Sequence, residues 1–206
     1  RWRGLSIVKV TPAPDSRYWD GVAEEADGEL SYMDAFLGTL KRRAYVNLLD
    51  RWGAPRPAGA VLKTDLFEEA YGPDAFLDAL AGERGAVVGM DLAPRMAARA
   101  HGSGNCGRAM LVAADVRQLP FQNQSFGLIV SPSTLDHFSR PSELGRSLRE
   151  LARILKPEGV LILTLDNRLN VLDPVLRLVA RLGGLPYYLG RSYTLPRMIA
   201  ELGAAG

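Results

Sequence analysis

The chain has a single cysteine, Cys106, among 206 residues. That excludes internal disulfides and any zinc site built on thiolates, and it fits a reducing compartment. Histidine is almost as scarce: His101 and His137 stand far apart, with no clustered Asp, Glu and His set beside them, so no metal site is expected. An excess of one charge is also missing. Lys plus Arg number 25 against 23 for Asp plus Glu, and a net charge of +2 gives no electrostatic reason to expect a nucleic-acid partner. No run approaches the roughly 18 apolar residues that span a bilayer. The Arg1–Gly21 stretch lacks the apolar core of a signal peptide, which makes the cytoplasm the default location. Neither an internal repeat nor a low-complexity tract occurs. What is present is 47% hydrophobic residues, enough for a substantial core in one domain with an N-terminal extension.

Residues 1–30 mix Pro, Asp, Gly and aromatics without periodicity and read as an irregular arm, one able to fold over a site and line it with tyrosine and tryptophan. Residues 31–58 form an N-terminal helix and linker. Met33, Phe36, Leu37, Leu40, Tyr45, Leu48 and Leu49 recur near the helical period, and the Gly53–Gly59 stretch breaks the chain. From residue 60 to 165, short apolar runs alternate with helical patterns. Ala60–Thr64, Ala86–Met90, Met110–Ala114, Leu128–Ser131 and Val160–Leu165 read as buried strands; Pro73–Ala81, Pro94–His101 and Ser142–Leu155 read as helices. This alternation predicts an α/β, doubly wound, mainly parallel sheet of about five strands. Residues 166–206 change character. An apolar helical pattern from Val171 to Leu182 is expected to pack on the sheet, or else to serve as a lid over a lipophilic substrate or a membrane contact. The break at Gly183–Pro186 and a last helix near Leu195–Leu202 follow it.

Parallel sheets bind ligands beyond the carboxyl ends of their strands, so the residues closing each run are the informative ones. The second run closes on Asp91, whose carboxylate can accept two hydrogen bonds from a ribose diol. The third is followed by Asp115 and Val116, where a carboxylate can accept from an adenine amine while the next backbone N–H donates to the ring. For each Asp the alternative is a cap on the following helix or turn. After the fourth run stands Asp136-His137. The imidazole is the side chain best suited to take a proton near neutrality, and the carboxylate can orient it; the alternative is a structural or capping histidine. His101, beside Gly102-Ser-Gly-Asn105, reads as a surface or helix-capping residue.

Four segments occur in an order that makes a resemblance specific: Val88-Gly-Met-Asp-Leu-Ala-Pro94, Ala114-Asp-Val-Arg-Gln-Leu-Pro-Phe121, Ser125-Phe-Gly-Leu-Ile-Val-Ser131 and Leu155-Lys-Pro-Glu-Gly-Val-Leu161. From about Ala60 to Gly206 the chain resembles class I S-adenosylmethionine-dependent methyltransferases of the methyltransferase-11 kind, with a Rossmann-like fold. The resemblance implies that S-adenosylmethionine is the cofactor. Asp91 and Leu92 would sit at its ribose, Asp115 and Val116 at its adenine between Met90 and Leu119, and Ser131 at the end of the fourth strand. Ser131-Pro-Ser-Thr-Leu-Asp-His-Phe138 resembles the family's loop ending in an acid–His pair, which puts Asp136 and His137 beside the transferred methyl.

Two departures from the family pattern stand out. Its Gly-rich turn after the first strand is represented here by Leu62-Lys-Thr-Asp-Leu-Phe-Glu-Glu-Ala-Tyr-Gly72, where only Gly72 is a glycine and Lys63 replaces the usual acid. The carboxylate facing the cofactor's ammonium is then expected from Asp65, Glu68 or Glu69, with a solvated helix start as the alternative. Gly127 stands where the family often has Asp. The expected activity is methyl transfer to an O, N or C atom of a small acceptor, lipophilic ones included. A catalytically silent, methyltransferase-like module acting through a protein partner is the alternative, and a dinucleotide oxidoreductase lacks its G-x-G-x-x-G turn. The family's last strands would begin where this sequence stops, so the Val160–Leu165 strand is expected to be an edge that invites self-association.

Overall fold

The computed structural model describes residues 15–25, 34–52, 59–80, 85–138, 140–182 and 188–206. The breaks expected over residues 53–58 and at Gly183–Pro186, and the start of the arm through residue 14, lie outside the described residues. Five strands form one sheet: β1 (Ala60–Thr64), β2 (Val87–Asp91), β3 (Met110–Ala113), β4 (Phe126–Pro132) and β5 (Leu155–Thr164). All pairings are parallel and the order is β3-β2-β1-β4-β5. β2 and β4 are buried along their whole length because helices cover both faces, which is why their sequences are continuously apolar. The winding reverses between β1 and β4, and a crevice opens at such a reversal beyond the strand ends.

One face of the sheet carries α1 (Ser16–Glu25), α2 (Ala35–Trp52), the short α3 (Phe67–Tyr71) and α4 (Leu77–Leu80), and α5 (Pro94–Ser103). Their core unites Tyr45, Leu49, Leu66, Phe76, Leu77 and Met96 with Val61, Val87 and Val130 of the strands. The other face is covered by α6 (Pro141–Ile154) and α8 (Leu195–Ala205). α6 buries Leu144, Leu148, Leu151 and Ile154, a stripe at helical spacing, and its Glu143 carboxylate accepts the Arg140 N–H at 2.9 Å to fix its start. α5 begins with Pro94 and ends at Gly104, whose φ of 80° lies in the left-handed region that a glycine enters without penalty.

Three expectations need correction. The arm read as irregular contains α1, started by Asp15, whose carboxylate accepts the N–H groups of Arg17 and Tyr18 at 3.1 and 3.2 Å. The helix expected over Pro73–Ala81 is shortened, among the described residues, to α4, because the Glu69 carboxylate accepts the Phe76 and Leu77 N–H groups and so sets a later start. The third concerns α7 (Asp173–Arg181), which does not bury its apolar stripe on the sheet: Leu172, Val175 and Leu178 are each more than half exposed. It is held instead through Arg177, which bonds Asp173, Ser192 Oγ and the Gly190 carbonyl. β5 is an edge strand; among the described residues nothing pairs with its outer side, and α8 packs on α6.

Candidate cofactor and acceptor site

At the end of β1 the chain turns sharply without a glycine. Asp65 has a φ of 91°, a conformation that costs a residue with a Cβ about 1–3 kcal/mol, so the surroundings hold it in place. Its carboxylate accepts the Phe67 N–H at 2.7 Å. Burial, reinforced by the Glu68 and Asp91 carboxylates, pushes its proton affinity well above the ordinary range. Lys63, in the central strand, is fully buried beside it. The ammonium bonds the Asp65 carbonyl at 2.7 Å, Glu68 at 2.9 Å and Glu69 at 2.7 Å. Burial alone would discharge Lys63, but those two carboxylates outweigh it and keep it protonated. Lys41 of α2 completes the network by pairing with Glu68 and Asp74. The acidic stretch is therefore not a solvated helix start. Glu68 is buried and answered by two ammonium groups, which hold its carboxyl below the usual range against the effect of burial.

Asp91 closes β2 with its carboxylate buried between two backbone donors, Leu66 N at 3.0 Å and Ala93 N at 2.8 Å. Burial raises it to about 6, with both N–H groups working the other way. Each oxygen keeps a lone pair beyond its single backbone bond. Leu92 follows, half-buried. One strand over, Asp115 is taken up by Arg117, whose Nε lies 2.9 Å and Nη2 2.8 Å from it, with Arg117 also reaching Glu143. The guanidinium holds the Asp115 carboxyl low although burial opposes it. Val116 is buried, as are Met90 and Leu119. At the reversal of the sheet, the Thr64 hydroxyl donates to Ser131 Oγ at 2.8 Å and also meets the Thr134 hydroxyl at 2.8 Å, tying the ends of β1 and β4 together.

Beyond β4 a 3-10 turn, Leu135–His137, presents the acid–His pair. Asp136 does not hydrogen-bond His137: Oδ1 and Nε2 are 3.8 Å apart, and Asp136 Oδ2 accepts the Asp166 N–H at 3.1 Å instead. The expectation that Asp136 orients the imidazole is thus replaced by two separate groups. Burial and the Asp166 carboxylate raise Asp136 to about 7, whereas burial lowers His137 to about 4. At neutral pH the imidazole is uncharged, and the carboxyl is the group poised to exchange a proton. α1 roofs this corner. Trp19 stands edge-on to His137 with ring centroids 5.1 Å apart, the Tyr18 hydroxyl accepts the Tyr188 N–H at 3.1 Å, and Asp20 accepts the Arg95 N–H at the start of α5.

The structure thus gathers Asp65, Glu68, Asp91, Leu92, Ser131, Asp136 and His137 at the carboxyl ends of β1, β2 and β4, with Asp115 and Val116 following β3. Gly72 is placed differently. It ends α3 in an extended conformation, its N–H bonds the Glu68 carbonyl, and it lines a separate cavity of about 320 Å³ with Arg42, Pro73 and Asn105. Asp166 and Tyr193 are members of the corner that sequence reasoning did not single out. The arm was expected to line a site with tyrosine and tryptophan, and Trp19 of α1 stands against His137. Among the described residues no group of three His, Cys, Asp or Glu side chains could hold a metal ion, and no helix is long and apolar enough to cross a membrane.

Residues 68–163 match the family model of a methyltransferase domain. A protein of Encephalitozoon cuniculi, provisionally named a methyltransferase, is 35% identical over 77 residues, which are 37% of this chain and 35% of that protein. The chain thus spans about a third of the length of that relative. Among solved structures, the [4+2]-cyclase SpnF superposes with a TM-score of 0.58 at 21% identity, covering 80% of this chain and 56% of that one. Phosphoethanolamine N-methyltransferase 2 of Haemonchus contortus, in complex with S-adenosyl-L-methionine, gives a TM-score of 0.58 at 18% identity and covers 80% and 36%.

Proposed function

We propose that this chain carries a class I, S-adenosylmethionine-dependent methyltransferase domain whose strand-end crevice binds that cofactor and directs its methyl group to a small acceptor held under α1. The observation that carries the reading is Asp91: a buried carboxylate at the end of β2, beside the reversal of the sheet, with a lone pair left on each oxygen for a ribose diol. The charge balance of the neighbouring cluster agrees. Glu68, Glu69 and Asp74 pair with Lys41 and Lys63, with Asp65 and Asp91 beside them, and such a concentration of buried carboxylate suits a ligand bearing a sulfonium and an ammonium. Among the described residues neither Asp65 nor Asp91 is bonded by an ammonium side chain, and with Asp91 assigned to the ribose, Asp65 takes the role that Lys63 cannot fill. Met90, Val116 and Leu119 offer buried apolar surface for the adenine, and Asp115, already engaged by Arg117, offers its remaining lone pairs to the exocyclic amine.

The cofactor supplies an activated methyl group, and the chain supplies alignment, exclusion of water and a proton acceptor. Trp19 of α1 and Tyr188 lie against the corner, and in this reading Asp136 and the neutral His137 receive a proton from an O–H or N–H acceptor. Replacement of Asp136 should reduce turnover far more than it weakens cofactor binding, and His137→Ala should do so less than Asp136→Asn. The reading is tested by calorimetric titration of the chain with S-adenosylhomocysteine, which requires no knowledge of the acceptor. Saturable one-to-one binding is expected, and absence of binding would favour a silent module.

A further inference from the structure

Three buried side-chain atoms among the described residues have no hydrogen-bond partner: Asp136 Oδ1, His137 Nδ1 and Tyr193 OH. They belong to one corner. Asp136 Oδ2 accepts the Asp166 N–H, the Asp166 carbonyl accepts the Tyr193 N–H at 2.8 Å, and the Asp136 carbonyl accepts the Arg191 N–H. Leaving one such atom unmatched costs about 1–3 kcal/mol, so three together mark a place that a polar ligand completes.

The charge of the corner narrows the ligand. Asp136 and Asp166 are close enough for the second to raise the proton affinity of the first, and Asp166 is itself raised by burial and by Asp173. Among the described residues no Lys or Arg pairs with either; the Arg177 guanidinium is bound to Asp173, Ser192 and Gly190. The imidazole beside Asp136 is neutral. Two neighbouring carboxylates, one of them buried and neither bonded by a cationic side chain among the described residues, favour a cationic ligand, Arg177 reaching Asp166 only through its field. The walls favour one with hydrocarbon substituents, since Trp19 and Tyr188 stand against His137 with centroids at 5.1 and 6.2 Å.

We propose that this corner binds an organic ammonium ion bearing at least one N–H, so that the methyl acceptor is an amine. The binding claim stands on the geometry of the corner, and its role as acceptor site rests on the methyltransferase reading. The N–H donates to Asp136 Oδ1, the alkyl groups lie against the indole and phenol rings, and Tyr193 OH and His137 Nδ1 meet the remaining polar group of the ligand. To become a nucleophile the ammonium gives one proton to Asp136 Oδ1, which leaves the lone pair on nitrogen.

The test uses two molecules of the same shape, 2-(dimethylamino)ethanol as its ammonium ion and neutral 3-methylbutan-1-ol, titrated into the chain at alkaline pH, where Asp136 is ionised, with binding read by ligand-observed NMR. The ammonium ion is expected to bind about tenfold more tightly than the alcohol. Asp136→Asn should abolish that preference, and Trp19→Ala should weaken the ammonium ion more than the alcohol. Equal affinity for the two molecules, or a preference that survives both substitutions, overturns the proposal. A parallel titration with S-adenosylhomocysteine separates the two readings. Cofactor binding without amine preference leaves the methyltransferase reading and removes this one, and amine preference without cofactor binding does the reverse.

Discussion

The ends of β1 and β4 lie side by side in the sheet and treat buried charge in opposite ways. At β1, Lys63 is sealed among carboxylates, Glu69 caps α4, and Lys41 answers Glu68 and Asp74. Beyond β4, Asp136 and Tyr193 are buried and His137 is half-buried, yet among the described residues each keeps a buried polar atom without a partner. The contrast separates polar groups that hold the backbone from those that wait for a ligand. It also shows how the turn after β1 manages without its usual glycines: the Lys63 ammonium bonds the carbonyl of Asp65 itself and holds that residue in its positive-φ conformation.

The contrast can be broken from either side. Lys63→Ala leaves Glu68 and Glu69 buried with less compensation and should destabilise the fold by about 3–5 kcal/mol. Lys63→Met, which keeps the volume, should lose nearly as much in chemical denaturation, and a mild effect would show that the network is not structural. Asp136→Asn should act in the other direction. The folded Asp136 titrates near 7 against 3.8 ordinarily, so the folded chain holds a proton that the unfolded chain has released, and stability falls as pH rises through that window. The Asn variant is freed of this loss and should be more stable than the parent by about 2–4 kcal/mol above pH 7, with the difference fading below about pH 4. His137 contributes the opposite slope. Its folded value near 4 lies below 6.5, so its contribution is present above that window and lost as pH falls through it.

The fold was legible because its signals are periodic. Five apolar runs separated by helical patterns admit few arrangements, and the ordered motifs reduce those further. Helices set by a single side chain were harder to read: α1 depends on Asp15, and α4 starts where Glu69 reaches. The positions of Asp91, Asp136 and His137 in the candidate site were legible because each lies at or beyond the end of a strand. The exclusive pairing of Glu68 with Lys41 and Lys63 was not, since it joins α2, β1 and α3 across long stretches of sequence. Nor was the lack of a hydrogen bond between Asp136 and His137, where Asp136 is engaged instead by the Asp166 N–H just past the end of β5.

The central claim is that the carboxylates at the strand ends form a cofactor site distinct from the corner beyond β4. Calorimetric titration of S-adenosylhomocysteine into the parent chain, Asp91→Ala and Asp136→Asn, each checked for its fold by circular dichroism, tests it most directly. The account predicts that Asp91→Ala weakens binding by about 1–3 kcal/mol, the cost of losing hydrogen bonds to a buried group, while Asp136→Asn leaves it close to the parent value. Unchanged affinity in a folded Asp91→Ala chain, or an equal loss in both variants, would contradict it.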